Sequence, residues 1–453
     1  MKTVIRNGRV AMGDRLVDAD LLLVDGRVAA VGGTGPADRE LDASGCYVLP
    51  GFMDFHTHVD DRIGRHYLAD TYATATRTAV ENGITTLCTF VTQGPGGTLR
   101  SAMAEARAKA AGRSYADVLW HLTPTTFSGA DLASLEVLVA AGYRTLKLYT
   151  TYKPAGLYAS YEVLETLFRR LGPKGATFLV HCEDDALIAA VDRAGLDLSR
   201  ASSHPRMRPE AAEIEAVRRV ADLAAATGAP AHVVHVSTVG AARLIAEARS
   251  RADLTCETCP QYLVLDEGWL ARPDGHRWLC SPPLRGDREA FRALARDGVF
   301  DMVATDHCPF RPEDKDAWDG SDIRQVPNGL AGLGALPHIT WKIWEDDPDR
   351  SALGLAAHLA AHPARRAGVA HRKGALLPGL DGDVVVLDPS GPERPVRSAD
   401  VPTPEAFPRE TTRLRFRHVL LRGVPVVQDG ALLDPGAPAG LPLQPDPETL
   451  PQS

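Results

Sequence analysis

Short strand-forming runs alternate with helix-forming segments through the middle of this 453-residue chain. Eight apolar, β-rich runs stand out, at Tyr47–His58, Gly83–Phe90, Asp117–Thr123, Tyr143–Tyr149, Ala176–Cys182, Ala231–Val236, Leu254–Tyr262 and Phe300–Asp306. Most of them are separated by segments of helical character, such as Ala69–Glu81, Leu99–Ala111, Tyr161–Leu171, Pro209–Thr227, Ala241–Arg251 and Arg288–Arg296. Strands that alternate with helices predict a parallel sheet, and eight such units predict a closed (β/α)8 TIM barrel of roughly 300 residues.

The two ends of the chain have a different pattern, with short strands and tight turns. Asn7-Gly8 and Asp25-Gly26 are hairpin-turn dipeptides in the first segment, and strand-like runs return at 383–388 and 417–428. We therefore predict a small β-sandwich domain built from residues 1–50 and 365–435, with the barrel at 51–364 inserted between its halves. Residues 436–453 are rich in Pro, Gly and Ala and predict a C-terminal tail that lies over the surface or a neighbouring subunit.

Composition narrows the function classes. The net charge is −8 and basic residues form no cluster, which argues against nucleic-acid binding. The chain contains no run of about 18 apolar residues, so no membrane span is predicted. The N-terminus lacks the features of a signal peptide, so a cytoplasmic location is the default expectation. Seven cysteines, an odd number, argue against a disulfide framework, and the single C-x-x-C pair at Cys256 and Cys259 is weak evidence for a metal or redox site.

Ligand-type and titratable residues cluster at the ends of the predicted strands. His56 and His58 are two residues apart in a strand, so their rings face the same side and form half of a zinc-type site. Further residues of this kind occur in or at the end of later strands, namely Lys147, His181, His235 and Asp306. Because catalytic groups of a (β/α)8 barrel come from the carboxyl ends of its strands, these residues predict one shared site.

Lys147 is the most unusual member of this set. The chain has eight lysines against 42 arginines, and this lysine lies amid Leu146, Leu148 and Tyr149. Burial lowers the pKa of a lysine and makes the neutral amine available. A neutral amine can add carbon dioxide and become a carbamate that bridges two metal ions. The alternative is a lysine whose ammonium group extends to the barrel mouth.

The chain resembles the cyclic amidohydrolases of the dihydropyrimidinase and hydantoinase family, which belong with allantoinases and dihydroorotases in the amidohydrolase superfamily. The resemblance covers nearly the whole chain. Its motifs occur in order at Gly51–His58, the Lys147 strand followed by Tyr152-Lys153, Val180–Glu183, His235–Ser237, Glu257–Leu263, Ser281–Arg285, Ala304–Phe310 and Pro327–Gly329.

The resemblance implies a binuclear metal site, usually zinc, in which His56 and His58 bind the first metal with Asp306. It implies that His181 and His235 bind the second metal and that N-carboxylated Lys147 bridges both. A metal-bound hydroxide would then open a cyclic amide, with Asp306 acting as general base and then acid. By the same resemblance, the oxyanion and the edge of the substrate ring would be held by Tyr152, Ser281 and Asn328.

The choice of substrate ring stays open between relatives. Asp60 stands where dihydroorotases usually have an arginine, and allantoinases usually lack the tyrosine that matches Tyr152, so hydantoins, dihydropyrimidines and related ureides or imides are favoured. The charged loop through Asp60, Arg62 and Arg65 is either solvated or recognises a charged substituent of the substrate.

Two alternatives to a hydantoinase are an allantoinase-like or dihydroorotase-like enzyme and a non-catalytic scaffold. Scaffold relatives typically lose metal ligands, whereas this chain keeps all six. The expected partner is a small cyclic amide, and the resemblance implies a homo-oligomer, either a dimer or a tetramer.

Overall fold

The computed structural model describes residues 1–33, 35–433 and 438–450. The strands, in chain order, are β1 (Lys2–Met12), β2 (Arg15–Val24), β3 (Arg27–Val31), β4 (Arg39–Asp42), β5 (Tyr47–Pro50), β6 (Phe52–Thr57), β7 (Arg62–Ile63), β8 (His66–Tyr67), β9 (Ile84–Thr92), β10 (Asp117–Thr123), β11 (Thr145–Tyr149), β12 (Thr177–His181), β13 (Ala231–Val233), β14 (Leu254–Thr258), β15 (Met302–Val303), β16 (Val384–Asp388), β17 (Arg394–Pro395), β18 (Thr411–Thr412), β19 (Arg415–Leu421), β20 (Val424–Gln428) and β21 (Ala431–Leu432). The α-helices are α1 (Tyr72–Glu81), α2 (Leu99–Ala110), α3 (Gly129–Ala140), α4 (Tyr161–Leu171), α5 (Asp185–Ala189), α6 (His204–Met207), α7 (Glu210–Thr227), α8 (Val239–Ala248), α9 (Pro260–Val264), α10 (Arg288–Arg296), α11 (Pro312–Asp316), α12 (Leu336–Trp341), α13 (Pro348–Ala356) and α14 (His362–Arg366).

Eight parallel strands form the centre of the molecule. Their order in the sheet is β6, β9, β10, β11, β12, β13, β14 and β15, which is also their order along the chain. The ring closes beyond the last strand, where Thr57 and His307 form a parallel bridge and His58 N donates to His307 O at 2.7 Å. This arrangement confirms the predicted (β/α)8 barrel. Within the described residues, no helix is both long and apolar enough to cross a membrane.

The predicted run Tyr47–His58 is two strands rather than one. The first, β5, pairs with β1 and β16 in a separate sheet, and the second, β6, enters the barrel. Gly51 lies between them, and a Cβ atom at this position would collide with Thr85 Oγ1. The chain therefore passes from one sheet to the other at a point of close approach that only glycine allows.

Three later strands are shorter than predicted. β14 ends at Thr258 because Pro260 lacks an N–H group and begins α9 instead. β13 and β15 end before His235 and Asp306, which have left-handed backbone φ angles of 40° and 50°. Non-glycine residues rarely adopt this conformation, and they do so here where two side chains turn toward the barrel mouth.

Strands from both chain ends form one nine-stranded sheet. Its order is β21, β20, β19, β16, β5, β1, β2 and β3, and β4 pairs with β1. A buried ionic cluster joins this sheet to the amino end of the barrel. In it, Lys373 Nζ lies 2.7 Å from Asp117, 3.2 Å from Asp381 and 2.6 Å from Asp383. Asp117 is the first residue of β10, so the cluster fixes the sheet to a barrel strand.

The described part of the C-terminal tail lies against the barrel. Val118 N donates to Leu441 O at 3.0 Å, and Leu443 N donates to Val118 O at 2.9 Å. The tail can pair there because β11 pairs with β10 only at Leu122 and Leu146. Residues 434–437 and 451–453, which belong to the predicted second domain and tail, lie outside the described residues.

Candidate metal centre

Two histidines and an aspartate face one another at the carboxyl end of the barrel. Asp306 Oδ1 lies 3.1 Å from His56 Nε2 and 3.4 Å from His58 Nε2. One potential ligand atom from each of the three lies within 4.8 Å of the others. Imidazole nitrogens and a carboxylate oxygen at this spacing are the donor set of a divalent transition-metal site.

Lys147 projects from β11 into the same group. Its Nζ lies 3.5 Å from His56 Nε2 and 4.9 Å from the centre of the Phe90 ring, and the side chain is buried. Among the described residues, no carboxylate forms an ion pair with it. Burial lowers the pKa of Lys147 to about 8, which makes its neutral amine accessible near neutral pH.

His181 and His235 continue the group on its other side. Their ring centres are 4.5 Å apart, and the His235 ring centre lies 5.3 Å from that of His56. Burial lowers the pKa of both residues, that of His181 to about 4, so both imidazoles are neutral and able to bind metal. His235 Nδ1 is buried and has no hydrogen-bond partner in the described part of the chain. An orphaned imidazole nitrogen here and the converging donors fit the metal centre that the sequence predicts.

Two buried glutamates that sequence reasoning did not single out hold the imidazoles. Glu257 Oε1 lies 2.5 Å from His56 Nδ1, and Glu183 Oε2 lies 2.7 Å from His181 Nε2. Each contact occupies one ring nitrogen, which leaves His56 Nε2 and His181 Nδ1 for a ligand. Both glutamates fall within motifs of the family resemblance, Val180–Glu183 and Glu257–Leu263. Only Glu183, two residues after His181, is close in sequence to the histidine that it contacts, since Glu257 lies 201 residues from His56.

Tyr152, Ser281 and Asn328 lie next to one another beside His181. The ring centre of Tyr152 lies 5.1 Å from that of His181, and Asn328 Nδ2 donates to Ser281 Oγ at 2.9 Å. Burial raises the pKa of Tyr152 to about 12, although Arg208 and a hydrogen bond with Ser281 oppose this shift. The phenol is therefore a proton donor at neutral pH.

Side chains and one backbone group from elsewhere in the barrel fix the loop that carries Ser281. Leu279 O accepts from Lys315 Nζ at 3.1 Å and from Gly329 N at 2.8 Å. Cys280 O accepts from His204 Nε2 at 2.8 Å, and Pro282 O accepts from Tyr262 Oη at 2.7 Å. Among the carbonyls of residues 279–282, that of Ser281 is the one without a donor from the described residues, so it is left for a ligand.

The structure does not bring the charged loop of Asp60, Arg62 and Arg65 into contact with the groups of the candidate metal centre. The loop folds into the hairpin of β7 and β8, in which the Arg62 guanidinium carbon lies 5.7 Å from the centre of the Tyr67 ring. Arg65 Nε donates to His66 Nε2 at 3.0 Å. Asp60 is fixed through its backbone, since its carbonyl accepts from Lys109 Nζ at 3.0 Å. Both arginines are exposed.

Known proteins similar to this chain share its length and fold. A model described as the amidohydrolase family matches residues 47–415. The chain is 34% identical over 451 residues to a D-hydantoinase of Streptomyces coelicolor, which covers 94% of this chain and 95% of the relative. It is 35% identical over 399 residues to a D-phenylhydantoinase of Escherichia coli, and this match covers 86% of both proteins. A solved dihydropyrimidinase from Brevibacillus agri superposes with a TM-score of 0.91 at 30% identity and covers 98% of each chain.

Proposed function

Because this chain belongs to the amidohydrolase family, we propose that it is a metal-dependent hydrolase that opens a cyclic amide of the hydantoin or dihydropyrimidine class. One observation carries the proposal. Four imidazoles, a buried lysine and a carboxylate converge where the strands of the barrel end, beside a phenol and a free backbone carbonyl.

The proposed ligands divide into two sets around the lysine. His56, His58 and Asp306 would hold the first divalent ion, and His181 and His235 would hold the second. Zinc suits these nitrogen and oxygen donors. When bound, the two ions supply Lewis acidity toward the amide oxygen and lower the pKa of water at the site.

Lys147 is proposed to bridge the two sets after N-carboxylation. Its support is the combination of full burial, a lowered pKa and the absence of an ion-pair partner among the described residues. The ammonium group first loses a proton, and the resulting neutral amine adds carbon dioxide and loses a second proton. A buried cation is thereby replaced by an anionic group with two oxygen donors. This change also removes the cost of a buried, unpaired ammonium.

Asp306 is proposed to transfer the proton, and Tyr152 is proposed to stabilise the negative charge that develops on the amide oxygen. A carboxylate oxygen of Asp306 takes a proton from the attacking water and delivers it to the leaving ring nitrogen. Tyr152 Oη donates a hydrogen bond to the oxygen of the tetrahedral intermediate. Both side chains are partly buried, Asp306 being 14% exposed, so their electrostatic effect is stronger than it would be in open solvent.

Ser281 and Asn328 are proposed to bind the edge of the substrate ring. The Ser281 carbonyl accepts a ring N–H, because the neighbouring carbonyls already have donors from the protein. An amide ring presents both N–H and C=O groups along one edge, so a backbone carbonyl and a nearby amide side chain complement it.

The test is a hydrolysis screen joined to metal analysis. Protein reconstituted with zinc and bicarbonate is assayed on dihydrouracil, substituted hydantoins, allantoin, dihydroorotate and cyclic imides. We expect about two metal ions per chain and hydrolysis of hydantoins or dihydrouracil. Less than one ion per chain without hydrolysis would contradict the proposal, and turnover of allantoin or dihydroorotate alone would favour those alternatives.

A matched pair of histidine variants controls this test. H58N removes a proposed ligand, whereas H276N alters a histidine of similar exposure (15% against 16%) that also pairs with a carboxylate, since His276 Nε2 lies 2.8 Å from Asp316. We expect loss of metal and activity in H58N alone. Equal loss in both variants would show that the effect is not specific to the site.

The charged loop is proposed to be either solvated, which its exposed Arg62 and Arg65 favour, or a site that recognises a carboxylate-bearing substituent through one of these arginines. Replacing either residue by Met should raise KM a few-fold for anionic substrates, the range of a single exposed ion pair, and leave KM for neutral hydantoins unchanged. An equal rise for both substrate types would refute this role. A homo-oligomer, dimer or tetramer, is likewise a proposal, tested by light scattering of the full chain.

A further inference from the structure

Arg208 contacts two groups of the proposed site at once. It lies between α6 and α7, and its side chain is 12% exposed. Its Nε donates to Glu183 Oε1 at 3.0 Å and its Nη2 to Glu183 Oε2 at 2.5 Å. The same Glu183 Oε2 lies 2.7 Å from His181 Nε2. One edge of the guanidinium is therefore linked to a proposed metal ligand through a single carboxylate.

The face of the same guanidinium packs on Tyr152. The Arg208 guanidinium carbon lies 4.9 Å from the centre of the Tyr152 ring, whose aromatic neighbours include His181 at 5.1 Å and Tyr149 at 5.9 Å. Tyr152 has a left-handed backbone with φ of 68°, which a non-glycine residue keeps only when its surroundings hold it. The cation on the ring face is one part of those surroundings.

Arg208 is itself held in place by its backbone. Its carbonyl accepts from Arg285 Nη1 at 2.8 Å, and Arg285 is buried. A planar guanidinium can bind a carboxylate with its edge and an aromatic ring with its face at the same time, whereas an ammonium group cannot. The residue type therefore matters here as well as the charge.

We propose that Arg208 is a positioning residue that couples the orientation of His181 to that of Tyr152. This inference rests on the proposed function, in which His181 binds a metal ion and Tyr152 donates to the oxyanion. Arg208 acts through both residues and does not touch the substrate. It sets the ring orientation of the metal ligand through Glu183 and the place of the phenol by stacking.

The first test is a double-mutant cycle with R208K, Y152F and the double variant, in the zinc-loaded full chain. Loss of an oxyanion donor lowers kcat on the order of 10²-fold, and we expect R208K to lower it about 10-fold with KM little changed. If Arg208 acts through Tyr152, R208K should lower kcat less than about 3-fold in the Y152F background, because residues that act as a unit are not additive.

The second test measures metal affinity, which does not depend on turnover. Removing an outer partner of a metal ligand typically weakens metal binding about 10-fold or more. We expect this loss in R208K, measured by zinc competition with a chelator. If R208K fails to fold, a double variant that carries both R208Q and E183Q removes the two buried charges together. It should show the same weakening of zinc binding.

Arg219 provides a matched control. Its Nε donates to Glu215 at 2.7 Å and its guanidinium carbon lies 4.7 Å from the centre of the Tyr161 ring, but its side chain is 47% exposed. R219K should leave kcat and zinc affinity unchanged.

The outcomes separate the inference from the proposed function. Fully additive effects of R208K and Y152F, or unchanged zinc affinity in R208K, would overturn the coupling. A wild-type protein that binds zinc but hydrolyses no cyclic amide would overturn the proposed function. In that case the zinc affinity of R208K alone would still decide whether Arg208 positions His181.

Discussion

Lys147 and Lys373 are both buried, at opposite ends of the barrel, in contrasting surroundings. Lys373 lies at the amino end, where Asp117, Asp381 and Asp383 all lie within 3.2 Å of its Nζ. Lys147 lies at the carboxyl end among imidazoles and aromatic rings, and its contact with His56 Nε2 is 3.5 Å long. Both lysines are buried, so they differ in their counter-ions: Lys373 has carboxylate partners, and Lys147 has none among the described residues.

The two environments move the pKa in opposite directions. Burial lowers the pKa of Lys147 to about 8. Burial also opposes the charge on Lys373, but Asp383 and Asp117 outweigh it and raise the pKa of that lysine. The amino end of the barrel thus keeps a permanent cation that ties elements together, and the carboxyl end keeps an amine that can react.

The largest expected effect is that of K147A. We expect activity to fall on the order of 10³-fold or more, together with loss of most bound metal, because the proposed bridge between the two ligand sets is removed. Kinetics and metal content per chain measure both. Partial rescue by a short carboxylic acid should follow, since it can replace the missing carboxylate. Unchanged metal content in K147A would refute the bridge.

K373M should have the opposite profile. Removing this cation leaves Asp383 buried without an ion-pair partner in the described part of the chain, while Asp117 keeps Arg422 and Asp381 keeps Arg372. The loss of such a buried partner costs about 3–5 kcal/mol of unfolding free energy. Chemical denaturation measures that loss, while kcat and metal content of the folded variant should stay near wild type. A K373M protein of normal stability that has lost its metal would reverse the assignment of the two lysines.

The pH dependence of stability should follow from the raised pKa of Lys373. A lysine whose pKa is higher in the folded state stabilises the fold fully below its unfolded pKa of about 10.4. That contribution is lost as the pH rises through the folded value. Wild-type unfolding free energy should therefore fall above about pH 10.4 more steeply than that of K373M, as measured by denaturation at several pH values. Parallel curves would contradict the argument.

Lys315 is a third buried lysine, and we expect its replacement to have the smallest effect of these variants. It has one acceptor, Leu279 O at 3.1 Å, and burial lowers its pKa to about 8. We expect K315M to raise KM about fivefold, the cost of one hydrogen bond of about 1 kcal/mol, because the Ser281 loop loses a support. Metal content should not change. A loss of metal in K315M would place this lysine with Lys147 instead.

Local patterns predicted the barrel and the grouping of its polar residues. Strand and helix signals are local, and the rule that strand ends meet at one face brought His56, His58, Lys147, His181, His235 and Asp306 together. The division of Tyr47–His58 was missed because apolar residues continue from one half into the other, although Pro50-Gly51, a typical break, lies between them. It depends on a close approach of Gly51 to Thr85, which no local pattern records.

The supporting residues of the site could not be predicted for a related reason. Glu257 reaches His56 across 201 residues, and Arg208 reaches Tyr152 from a different strand-helix unit. Such contacts depend on the three-dimensional path of the chain. The surroundings of Lys373 are of the same kind, since its carboxylates come from the barrel and from the end sheet.

The most direct test of the contrast between the two lysines is carbon-13 NMR of protein reconstituted with zinc and labelled bicarbonate. The account predicts one carbamate signal that is present in wild type and in K373M and absent in K147M. A spectrum without a carbamate in the metal-loaded wild type, or a signal that persists in K147M, would contradict the claim that Lys147 is the reactive amine.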